Sequence, residues 1–179
     1  MTAATATANQ PTLKSYQLVA KLKHKMHRRR IRKAEAKLLK EVLDDATVDT
    51  NVDVPKTLRD ALPDDMEIRT SDNRAIVVTE CTGKFNMIGC NQAWENLCGY
   101  AESEIIGKDS SVLQNPDTNH DGLRDAVGRL FEGETVKVVT TNRKKDGSRF
   151  KCFLTMGPLH DENGKLTHFV AILKDIGKV

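Results

Sequence analysis

The chain has 179 residues, 28 of them Lys or Arg and 25 Asp or Glu, for a formal net charge of +3. That length suits one domain, or one domain with an extension. No run approaches the ~18–20 apolar residues of a membrane span, and the four cysteines, Cys81, Cys90, Cys98 and Cys152, form no CxxC pair, which argues against a zinc ribbon or a disulfide-stapled secreted domain and for reduced thiols in a cytoplasmic or nuclear protein.

The small net charge hides two unlike parts. Eleven Lys or Arg and one acid, Glu35, lie between Lys14 and Lys40, while the remainder is net acidic at −7. Residues 1–12 are rich in Ala and Thr, carry no apolar block and are expected to be disordered. Their lack of an apolar core argues against a secretory signal. The nine basic residues and no acid of 1–34 also match an organelle transit peptide, although Ser is scarce.

Residues 13–45 contain neither Gly nor Pro. Val19, Leu22 and Met26, then Ile31, Leu38 and Val42, recur at helical spacing and predict a long amphipathic helix with a narrow apolar stripe. Arg28, Arg29, Arg30, Arg32 and Lys33 form a basic patch on it. Such a patch suits nuclear import or nucleic acid, and also an acidic membrane or an acidic protein. The plainer expectation is a helix that docks on the following domain or on its own copy in a homodimer. Residues 46–73 mix Thr, Asp and Asn with Pro55 and Pro63, and read as a linker holding one short helix over Lys56–Leu62.

The pattern changes from residue 74 to 177. β-branched runs at Ala75–Thr79 and Phe85–Gly89 flank a Thr82-Gly83 turn. Asn91–Tyr100 reads as a short helix with Asn91 as N-cap and Gly99 at its end. Ser103–Ile106 is a further turn of helix, and Asp117–Glu132 a longer one, with Gly122 costing it ~1 kcal/mol. Strands at Thr135–Asn142, Arg149–Leu159 and Leu166–Ile176 finish the chain, joined by Asp146-Gly147 and Asn163-Gly164 turns. Strands on either side of a helical insert predict an α+β fold with an antiparallel sheet.

Four segments carry a family resemblance: Asn91-Gln-Ala-Trp-Glu-Asn-Leu-Cys-Gly-Tyr100, Gly107-Lys-Asp-Ser-Ser-Val-Leu-Gln-Asn-Pro-Asp-Thr118, Asn142-Arg-Lys-Lys-Asp-Gly-Ser-Arg-Phe150 and Phe169-Val-Ala-Ile-Leu-Lys-Asp175. In order and near-spacing, residues 74–177 resemble a PAS domain, and within that family the LOV flavin-photoreceptor branch. The resemblance implies a five-stranded antiparallel sheet with short helices on one face. It also implies FMN between sheet and helices and a blue-light reaction in which a Cys thiol adds to the flavin ring.

The departures fall on the site. Ser110 stands where the family has the reactive Cys, and a serine hydroxyl without a strong base is no thiolate. Asp109 replaces the family's Asn and Ser111 its phosphate-clamping Arg. The following helix is about three residues short, so its second phosphate-clamping Arg has no clear counterpart. Cys152 replaces the second flavin-edge Asn and Leu173 the Gln that senses the flavin. Gln114 and Asn142 are retained. The expectation is a non-enzymatic signalling and interaction domain with a degenerate flavin pocket and no bound cofactor. A sensor holding FMN without adduct chemistry is the first alternative, and a nucleic-acid-binding regulator acting through the basic helix the second.

No Gly-rich phosphate loop, nucleophile elbow or paired acid–base constellation suggests an enzyme. His24 and His27 lie in the basic run, His160 and His168 have no ligand-spaced partner, and Trp94 reads as core. Asp117, His120 and Asp121 read as a helix start, not a metal site.

Overall fold

The structure is a computed structural model that describes residues 48–178 together with 30, 33–34 and 36–45. Its sheet is built from β1 (Ala75–Glu80), β2 (Met87–Cys90), β3 (Val136–Arg143), β4 (Arg149–His160) and β5 (Leu166–Lys178). The spatial order is β2-β1-β5-β4-β3 and every neighbouring pair is antiparallel. The predicted α+β class and five-strand sheet are therefore observed. Glycine at the β3–β4 hairpin turn, Gly147 at φ 87°, allows the tight reversal that an L side chain resists.

Two short helices, α1 (Leu58–Ala61) and α2 (Met66–Ser71), precede the sheet. Then α3 (Gln92–Cys98), α4 (Glu102–Ile105), a 3₁₀ turn (Ser110–Leu113) and α5 (His120–Phe131) connect β2 to β3. Asn91 caps α3 as expected, its side chain accepting the Trp94 N–H. It also accepts the Ile76 N–H of β1 at 2.9 Å and donates to the Arg74 carbonyl at 2.7 Å. One buried amide thus ties α3 to the first strand.

Alternation along the strands divides the apolar residues between two faces. Ala75, Val77, Leu154, Met156 and Leu173 join Trp94, Ile105 and Leu130 on the helix side. Ile76, Val78, Leu159, Val170 and Ile172 form a second cluster on the other side.

That second face is covered by the stretch the sequence assigns to a linker. Residues 48–54 alternate half-buried and exposed, and Val52, Val54, Leu58 and Leu62 pack on the outer cluster. Lys174 and Lys137 donate to the Asp49 and Thr50 carbonyls at 3.0 Å, and Arg74 to that of Asp53 at 2.5 Å. The polar composition conceals an alternating apolar strap. Two helices also stand where one is predicted, because Thr57 and Asp65 each supply a side-chain cap.

Ahead of the strap, 36–43 is helical, with Leu38 and Val42 half-buried and Arg30 and Lys33 exposed. Val19, Leu22, Met26, Ile31, Arg28, Arg29 and Arg32 lie outside the described residues, as does the 1–12 segment. Among the described residues no helix is long and apolar enough to cross a membrane.

Candidate functional site

A cavity of about 360 Å³ lies between the inner sheet face and the helices. Its sheet wall is Val77, Leu154, Met156, Phe169 and Leu173, and its helix wall Leu113, Leu123 and Leu130. The volume falls within the ordinary range of small-molecule sites.

The connection after β2 sets the polar side chains. The Asp109 carboxylate accepts the Ser111 N–H at 2.9 Å and starts the 3₁₀ turn. Hydrogen bonds from the Ser111 side chain and backbone hold that carboxyl below its ordinary range. The turn puts Ser110 in the cavity wall, while Asp109 and Ser111 fall outside the lining. Gln114 follows as a second polar lining residue. Next, Asn115 and Thr118 both donate to the Thr141 carbonyl of β3, at 3.0 and 2.9 Å. Asn119, not Asp117, then caps α5 by accepting the Gly122 N–H. Pinning this loop to β3 fixes where α5 begins, and so which of its residues face the cavity.

Of the other positions singled out in the sequence, Asn142 is buried and lines the cavity. Leu173 lines it as an apolar wall. Cys152 is fully buried but outside the lining, and no cysteine is among the lining residues. Burial pushes the Cys90 and Cys98 thiols up to about 12 and raises Cys152 as well. Cys81 is half-buried, its thiol donating to the Thr167 carbonyl at 3.1 Å. None of the four thiols lines the cavity, so none is placed to react with a molecule held in it.

Three lining residues escape the sequence analysis as a set: Lys84, His120 and Arg124. All are exposed and stand at the rim. Arg124 pairs with Asp121 at 2.9 Å. Arg124 lies in the first turns of α5, two residues before Ala126 of the core. Among the described lining residues none is acidic. Phe85, predicted to begin a strand, instead takes a left-handed backbone at φ 58°. Its ring lies within 6.3 Å of Phe131 and Phe169, so the strand starts at Met87 and Phe85 closes one side of the cavity. Among the described residues no group of His, Cys, Asp and Glu could hold a metal ion, and Asp117 instead pairs with Arg149.

An antiparallel five-strand sheet with short helices enclosing a cavity on one face is the architecture of a PAS module. A family model described as PAS domain matches residues 73–178, and the chain belongs to that family. Its relatives include blue-light photoreceptors, and LOV domains are among the solved structures it resembles. The chain is 33% identical over 102 residues to a blue-light photoreceptor of Listeria monocytogenes, covering 56% of this chain and 40% of that protein. It is 37% identical over 90 residues to a blue-light-activated histidine kinase of Brucella anthropi, covering 50% of this chain and 18% of the kinase. Among solved structures, the LOV domain of the EL346 blue-light activated histidine kinase from Erythrobacter litoralis superposes with a TM-score of 0.53 at 28% identity, over 59% of this chain and 97% of that one. The match to the Brucella kinase thus spans less than a fifth of that protein's length.

Proposed function

We propose that residues 73–178 form a non-enzymatic signalling and interaction module of LOV ancestry, with a degenerate flavin site and no cysteinyl–flavin photochemistry. The observation that carries this reading is Ser110 in the cavity wall, at the position the resemblance gives to the reactive thiol, with no cysteine among the lining residues. A neutral serine hydroxyl supplies neither the thiolate nucleophile nor the thiol proton that adduct formation needs.

The cavity also fits FMN poorly. Leu173 lines the cavity with no polar atom to offer a flavin edge, and Ser111, outside the lining, brings no cation to it. Among the described residues, the buried side-chain polar atoms without a partner are Trp94 Nε1, Thr155 Oγ1 and His168 Nδ1, and none of these residues lines the cavity. Gln114 and Asn142 remain as amide side chains in the wall, but the departed family positions outnumber them. Neither phosphate-clamping position of the resemblance holds an arginine here; Arg124 stands at the exposed rim, where water weakens a charge contact. Each charge-assisted bond lost forfeits ~1.5–3 kcal/mol, so two or three losses weaken binding by orders of magnitude.

The output rests on contacts ahead of the domain. The stripe of Val19, Leu22, Met26, Ile31, Leu38 and Val42 supports a homodimer, since a narrow stripe gains most by pairing with its own copy. Deleting residues 1–46 should halve the mass seen by light scattering. Sequence-selective, salt-resistant nucleic-acid binding that disappears when Arg28, Arg29, Arg30 and Arg32 become Glu would support the regulator reading instead. For the module itself, protein purified from cells should carry at most substoichiometric flavin. A stoichiometric, vibronically structured blue absorption band would overturn the degenerate-site reading.

A further inference from the structure

The cavity of about 360 Å³ is open on one side and falls in the size range of small-molecule sites. Water reaches it from the open side but finds mostly hydrocarbon walls. The arrangement of its polarity says what suits it better. The deep wall is buried and apolar: Met87, Leu113, Leu130, Leu154, Phe169 and Leu173 are all under a tenth exposed. The rim is exposed and carries the cations Lys84 and Arg124 together with His120, and no lining residue is acidic. Neighbouring acids temper the rim without cancelling it. Asp121 pairs with Arg124, and Lys84 lies close enough to Asp109 to help lower its pKa.

We propose that the cavity binds an anionic amphiphile, a long-chain carboxylate with its hydrocarbon tail among the buried Leu, Met and Phe side chains and its head at the Lys84–Arg124 rim. The proposal rests on the reading that flavin recognition has been lost; the mostly apolar wall, with Thr79, Ser110, Gln114 and Asn142 as its uncharged polar members, is favourable to an alkyl chain. The exposed cations contribute head-group selectivity more than affinity. Lys84 comes from the β1–β2 connection and Arg124 from α5, so an anion between them would bridge the two sides of the cavity that Phe85 and Phe131 already bring together.

The test compares amphiphiles of one tail and different heads by isothermal titration of the full chain. Dodecanoate should bind with 1:1 stoichiometry and about 10-fold more tightly than dodecyltrimethylammonium. That factor corresponds to 1.4 kcal/mol. The double variant Lys84→Ala, Arg124→Ala should remove the preference while leaving dodecan-1-ol binding unchanged, which separates loss of the head site from loss of the fold. Leu154→Trp, which fills the cavity, should abolish binding of all three ligands. Equal affinity for the two charged heads, or no saturable binding of dodecanoate, would overturn the proposal. FMN is titrated in parallel: tight 1:1 FMN binding would overturn the loss of flavin recognition, whereas failure of both FMN and dodecanoate would overturn the amphiphile alone.

Discussion

Asn91 is where a single substitution should cost this domain most for its size. The side chain is 2% exposed and makes four bonds. Its Oδ1 accepts from Ile76 N at 2.9 Å and Trp94 N at 3.1 Å, and its Nδ2 donates to the carbonyls of Arg74 at 2.7 Å and Asp72 at 3.3 Å. Asn91→Ala removes an N-cap, worth ~1 kcal/mol. It also strands the buried Ile76 N–H, at ~1–3 kcal/mol, and leaves two carbonyls short of a donor. The expected total is about 3–5 kcal/mol, a large part of the 5–15 kcal/mol available to a domain. Asn91→Ser keeps a cap oxygen but cannot reach β1, and should lose about 2 kcal/mol. Asn91→Asp keeps both acceptors yet sets a carboxylate against two carbonyl oxygens, so it should not rescue. Urea unfolding followed by the fluorescence of the single, buried Trp94 and by far-UV circular dichroism measures all three. A loss under ~1 kcal/mol for Asn91→Ala would show that the amide does not join α3 to β1 as described.

Other substitutions probe the strap and the thiols. A Cβ at Gly157 would meet Val54 Cγ1 at 2.7 Å, so Gly157→Ala should cost ~1–3 kcal/mol. In a double-mutant cycle Val54→Ala should recover part of that, and strict additivity would mean the strap does not lie there. Thiol titration of the native protein at neutral pH should find Cys81 reactive and Cys90, Cys98 and Cys152 silent until the protein unfolds. Because burial raises the last three thiols, the fold should lose stability as pH climbs past the unfolded thiol value of ~8.5 toward 12. Burial raises the Asp72 carboxyl, but hydrogen bonds and charge from Arg74 outweigh this and hold it below its ordinary range. Its contribution is therefore present above ~3.9 and lost as pH falls through the lower folded value. Asp72→Asn should flatten that acid limb of the stability curve, and an unchanged limb would contradict the assignment.

The strands were legible because β-branched runs alternate between Asp-Gly and Asn-Gly turns, and the observed bounds differ by one or two residues at most ends. Phe85 shows what periodicity cannot see. Its run continues the strand pattern, yet ring packing with Phe131, 46 positions away, pulls its backbone into a left-handed turn. The strap escaped for a related reason. Val52 and Val54 look like stray apolar residues in an acidic linker until the sheet's outer face is known. In the candidate site, Ser110, Gln114, Asn142 and Leu173 were legible by position and do line the cavity, whereas Asp109, Ser111 and Cys152 share those segments but fall outside the lining. The rim cations were not legible, because Lys84 and Arg124 belong to different segments and come to one cavity only through the tertiary fold.

The most direct test of the central claim is a light-minus-dark absorption difference spectrum of the full chain with excess FMN, taken beside Ser110→Cys under the same blue illumination. The account predicts that the protein leaves the flavin band as it is in free FMN, with no reversible bleaching. Reversible bleaching of the native protein's flavin band, with recovery in the dark, would contradict it.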